Sequence, residues 1–156
     1  MSYPEIDERI EKYLNDYTFI AAYKALDGTI FYGDQDGAID KFKEHNKKII
    51  EKLESEMCGN VSIYKADYFF NGYKNAYVKF HTPVGKTQFK LWCKYNKITL
   101  KNESDINGVL ELEKWYGVSM SGNIFQLQTT DIEEYLTLFN ELKYKLDNVN
   151  NNEVFV

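Results

Sequence analysis

The spacing of hydrophobic residues along the chain switches between helical and extended periods. Ile6, Ile10, Tyr13, Leu14 and Tyr17 recur on one helical face, with Asp7, Glu8, Glu11 and Lys12 between them. Ser2-Tyr3-Pro4-Glu5 precedes them at capping-box spacing, which predicts an N-terminal helix over 1–17. The β-forming run TFIAAYKA, the turn Leu26-Asp27-Gly28-Thr29 and Ile30-Phe31-Tyr32 predict a hairpin over 18–33. Beyond the breaker Gly33-Asp34-Gln35-Asp36-Gly37, Ile39, Phe42, Ile49, Ile50, Leu53 and Met57 return to helical spacing and predict a long helix over 36–57.

From Val61 the period becomes two. VSIYKADYFF and NAYVKFH read as strands paired around Asn71-Gly72. Thr82-Pro83-Val84-Gly85 reads as the next turn, and KTQFKLWCKY and KITLK as two further strands. Residues 103–122 fit either a short helix or an extended strand and are read as a helical turn or irregular crossover, and 123–128 reads as a strand, so a sheet is predicted over 61–128. Thr130-Asp131-Ile132-Glu133 is a second capping box. Ile132, Tyr135, Leu136, Phe139, Leu142 and Leu146 stripe a helix over 131–147, and in the tail 148–156 Val154, Phe155 and Val156 can dock back. The predicted fold is a single α+β domain, an antiparallel β-meander sheet with helices packed on one face.

Composition fits that reading. A chain of 156 residues can bury roughly two thirds of its unfolded surface without staples. Its 44% hydrophobic and 16% aromatic content is globular rather than disordered. The N-terminus lacks an apolar signal core and no run of about 18 apolar residues occurs, so neither secretion nor a membrane span is predicted. Cys58 and Cys93 form no CxxC pair and are expected as reduced thiols in a cytoplasmic protein.

Charge changes the picture more. Tyr68 to Asn102 holds seven lysines, one histidine, nine aromatics and no carboxylate, while the chain as a whole carries -5. The segment is therefore +7 and the remainder -12. Strand alternation would send Ala76, Val78, Phe80, Thr87, Phe89, Leu91 and Cys93 inward. It would leave Tyr77, Lys79, Lys86, Lys90, Trp92, Lys94 and Lys101 as an outer basic face, able to attract phosphates and offer rings for stacking. The plain alternative is a solvated sheet face, since lysine also guards strands against aggregation. Against that stands the absence of any acid across the segment. A single arginine in the chain disfavours base-specific readout.

Catalytic and metal patterns fail. With Asp34 as first ligand of a calcium loop, the sixth position is Ile39 and the twelfth His45, so Asp34, Asp36 and Asp40 read as helix-start acids. His81 and Cys93 should face opposite ways, which separates base from nucleophile. Gly85-Lys86-Thr87 lacks the earlier phosphate-loop glycine, position 80 being Phe, and a strand is expected to follow it. No catalytic residue, metal site or cofactor is assigned.

Phe89-Lys90-Leu91-Trp92, Asn96-Lys97-Ile98-Thr99-Leu100 and the stretch from Gly117 through Leu146 carry a pattern over residues 39–147. That pattern resembles a small prokaryotic domain family labelled as a predicted transport protein and associated with restriction-type proteins. The resemblance implies an α+β fold and a link to nucleic-acid or defence systems, and transfers no functional residue. The expected function is a non-enzymatic binding module docking a polyanionic partner, nucleic acid or an acidic protein surface, through the basic face. The alternative is a small inhibitor or immunity-type protein, as encoded by phages and toxin loci, engaging a protein target through its acidic helices and tyrosines.

Overall fold

The computed structural model describes residues 12–15, 18–33, 36–65, 75–128, 140–150 and 152–155. Two compact units divide the chain, one up to Lys52 and one from Leu53. The boundary falls within a helix, α1 (Ala38–Met57), which realises the long helix expected from the Phe42–Leu53–Met57 stripe.

In the first unit β1 (Lys12–Asn15), β2 (Thr18–Lys24) and β3 (Ile30–Tyr32) form an antiparallel sheet in chain order. The hairpin of β2 and β3 is the one predicted, with Lys24 opposite Ile30. Gly28, at φ 90°, supplies the reversal that a residue with a Cβ resists. The helix predicted over 1–17 is replaced at Lys12–Asn15 by a strand in register with β2, Tyr13 opposite Ile20. Tyr and Leu suit a pleated ladder as well as a helix face, and the neighbouring β-forming run supplies the edge; the rest of that predicted helix lies outside the described residues. Phe42 on α1 is buried against Tyr23 and Phe31. His45 Nε2 lies 2.8 Å from the Asp27 carboxylate. The Thr29 N–H first, and the His45 ring second, lower the Asp27 carboxyl to about 2.

The second unit is built on a mixed five-stranded sheet, ordered β4-β5-β7-β8-β6. Its strands are β4 (Val61–Lys65), β5 (Asn75–Phe80), β6 (Thr99–Leu100), β7 (Trp115–Ser121) and β8 (Ile124–Leu127). Neighbours pair antiparallel except β6, which joins β8 in parallel. The α+β class is as predicted. Within 61–128, however, the chain forms a helix, α2 (Pro83–Tyr95), where only extended structure was expected over 86–101; the short helix α3 (Glu103–Gly108) falls where a helical turn was one of the readings, and β7 takes the end of that stretch.

The reason for α2 is local. The Thr82 side chain accepts a hydrogen bond from the Gly85 N–H at 3.1 Å, and Pro83 opens the helix where its missing N–H costs nothing. What reads as a turn is a cap. Gly85 is required by packing, since a Cβ there would collide with the Asn60 carbonyl. At the other end Lys97 adopts φ 60°, with Lys97 N–H donating to Lys94 O at 3.2 Å and Ile98 N–H to Cys93 O at 2.8 Å. This paired closure is a Schellman motif with lysine at the position glycine usually takes.

α2 lays Gly85, Phe89 and Cys93 on a core that includes Val61, Ile63, Val78, Phe80, Tyr116, Val118 and Leu127. Ala76, Val78 and Phe80 point inward as alternation predicts. The opposite sheet face is covered at Trp115 by Leu146 of a further helix, α4 (Asn140–Asp147), with Tyr64, Tyr77 and Val149 packed around them. α4 lies within the helix predicted over 131–147, whose other residues fall outside those described. The tail docks back: Ile63 N–H donates to Val154 O at 2.5 Å, and Phe155 meets Trp92 at 5.6 Å between ring centroids.

Candidate binding groove

The seven residues singled out from sequence do not share one face. Tyr77 and Lys79 lie on β5, Lys86, Lys90, Trp92 and Lys94 on α2, and Lys101 in the turn after β6. A helix rotates its residues by about 100° each, so alternate positions separate instead of aligning. Trp92 shows the consequence. Its ring stacks on Phe89 at 6.1 Å, touches Phe155, and its Nε1–H donates to Glu54 Oε2 at 2.9 Å. It is covered by other side chains and is not a free stacking platform.

Tyr77 is half-buried in the Trp115 cluster, where desolvation raises its phenol. Lys79 sits over the Trp115 ring at 5.5 Å from its centroid and 4.0 Å from Glu113 Oε2. Lys86 donates through Nζ to the Leu110 carbonyl. These cations hold the fold's own groups.

Lys90 and Lys94 differ. They stand one helical turn apart on α2, and among the described residues neither has a carboxylate within ion-pair distance. Both line a groove of about 680 Å³ with Thr87, Leu91, Cys93, Lys97, Ile98, Thr99, Leu100 and Glu103. Three lysines and one carboxylate are among these lining residues. Leu91, Ile98 and Leu100 are half-buried, packed on the core from one side and open to the groove on the other. Lys101 lies just outside this lining.

The groove offers little reactive chemistry. Cys93 is 1% exposed, and burial, reinforced by Glu103, pushes its thiol up to about 12, so it stays protonated at neutral pH. Cys58 is a free exposed thiol outside the lining, and Cys93 is likewise unpaired. Gly85, Lys86 and Thr87 lie inside a helix, not before a strand; the phosphate-loop pattern still fails at Phe80.

One constellation has no counterpart in the sequence reading. Ser62 Oγ lies 2.9 Å from His81 Nε2, and His81 Nδ1 lies 3.0 Å from Glu113 Oε1, the atom order of a serine-histidine-acid triad. The residues are 19 and 32 positions apart, so no local motif could have revealed them. Ser62 is fully buried and also donates to the Glu153 carbonyl at 3.3 Å. The adjacent Ile63 N–H is taken by Val154 and the His81 N–H by Asn60. With the nucleophile covered and neither of these N–H groups left for an oxyanion, the network fastens the tail to β4.

Among the described residues no group of three or more His, Cys, Asp or Glu side chains is placed to hold a metal ion. No described helix is long and apolar enough to cross a membrane. Comparison with family models, with curated proteins and with solved structures returns no match.

Proposed function

We propose that the chain is a non-enzymatic binding module that docks a polyanionic partner through the groove between α2 and β6, with Lys90 and Lys94 as its principal contacts and Lys97 and Lys101 beside them. The observation that carries this reading is the pair of groove lysines, Lys90 and Lys94, without carboxylate partners among the described residues, when Lys79 and Lys86 on the same unit are engaged internally. A concave surface with an excess of one sign raises the local concentration of opposite charge. Docking through the acidic helices has less support, because α1 carries five lysines as well as five carboxylates.

The test is anisotropy of labelled heparin, single- and double-stranded nucleic acid and polyglutamate, at two salt concentrations. Binding that weakens steeply with salt is expected. Lys90→Glu with Lys94→Glu should lower affinity by about 10- to 100-fold, on the scale of 1–3 kcal/mol. Lys79→Ala should change it by less than about twofold. If none of these polyanions binds at low salt, the reading fails.

A further inference from the structure

The groove has an apolar floor as well as a basic rim, and the combination narrows the partner. Among the described residues no aromatic side chain lines it, and Trp92, the ring on α2 singled out from sequence, is held by Phe89, Phe155 and Glu54. Single-stranded nucleic acid is bound by rings as well as by charge, and base edges are read chiefly by arginine forks. Neither is available in the groove. What lies between the lysines is aliphatic carbon: Leu91, Ile98 and Leu100.

Thr87, Lys90, Leu91 and Lys94 fall at helical spacing along one stripe of α2, so one aliphatic side chain shares the groove side of the helix with two ammonium groups.

We infer that the groove takes an acidic protein segment with aliphatic anchor side chains, carboxylates meeting Lys90 and Lys94 while leucine- or isoleucine-like side chains cover Leu91, Ile98 and Leu100. This rests on the polyanion reading and goes beyond it in taking a protein segment, and not a single-stranded nucleic acid, as the occupant. An amphipathic helix laid in a groove by its apolar face is a recurrent mode of peptide recognition.

The experiment compares three labelled probes of equal net charge against the full chain: a peptide of glutamates and leucines at helical spacing, the same peptide with every leucine replaced by serine, and a single-stranded oligonucleotide. The leucine peptide should bind at least about tenfold tighter than either, the effect of burying roughly one leucine side chain. Leu91→Ser, with folding checked by circular dichroism, should erase that advantage and leave the serine peptide unchanged. The probe comparison uses the native chain and does not depend on that variant folding. Equal binding of the two peptides, or tighter binding of the oligonucleotide, would overturn the inference while the polyanion reading stood. Failure of all three to bind would remove both.

Discussion

Lys79 and Lys94 belong to the same acid-free segment, carry the same charge and were assigned by alternation to the same face, yet the fold treats them oppositely. Lys79 projects from β5 over the Trp115 ring with Glu113 at 4.0 Å, and its side chain is only 20% exposed. Lys94 projects from α2 into the groove, exposed and without a carboxylate partner among the described residues. Charge density along a sequence therefore says little about which cations remain available. Availability is set by the secondary structure that carries each lysine and by what packs beside it.

The sharpest way to break this contrast is to test the helix that creates it. If α2 were a strand, Phe89 and Leu91 would share one face and contribute alike; in the helix Phe89 is buried in the core and Leu91 only borders it. Phe89→Ala should cost about 3–5 kcal/mol in urea unfolding, as deletions of buried rings do. Leu91→Ala should cost about 1 kcal/mol, the range of a partly exposed site. Equal losses would restore the two-residue period and with it a single basic face.

A second contrast concerns the thiols. Cys58 is exposed, whereas Cys93 is buried with its thiol pushed up to about 12. Iodoacetamide at mildly alkaline pH should modify Cys58 alone in the native chain and both residues in denaturant, read by mass spectrometry. A thiol whose folded value lies above its unfolded value, 9.0, contributes stability that is complete below pH 9 and is lost as pH rises towards about 12. The loss steepens to about 1.4 kcal/mol per pH unit for one proton. Cys93→Ala should flatten that alkaline decline. Early labelling of Cys93 would mean that the groove floor opens.

Much of the fold was legible because many elements satisfy only one period. The Phe42–Leu53–Met57 stripe fits no strand, and the alternation of Ala76, Val78 and Phe80 fits no helix; both appear as predicted. The segment 86–94 satisfies both, since Phe89 and Cys93 stand four apart, an even number and close to one helical turn. Thr82-Pro83 was the deciding signal: threonine before proline caps a helix as readily as it begins a turn. Reading that cap would have brought Lys90 and Lys94 together and turned Trp92 inward. The floor of the groove was less accessible: Ile98 is set by the closure of α2, but Leu100 is held in place by the parallel pairing of β6 with β8, a long-range fact of topology.

The smallest effect returns to the two lysines. Lys79→Ala removes a cation held over a ring and a long ion pair to a half-exposed glutamate, contributions of about 0.5–1 kcal/mol together at such a site. Lys94→Ala removes a solvated side chain and should change stability by less than about 0.5 kcal/mol. Polyanion affinity should move the other way, falling with Lys94→Ala and holding with Lys79→Ala. The pair thus tests fold and function in opposite directions, and salt separates them further. The exposed lysine's contribution to binding should vanish at high ionic strength, while the ring contact of Lys79 should persist. Should Lys79→Ala weaken binding as much as Lys94→Ala, the division between a structural and an available cation would be wrong, and the partner's footprint would extend onto β5.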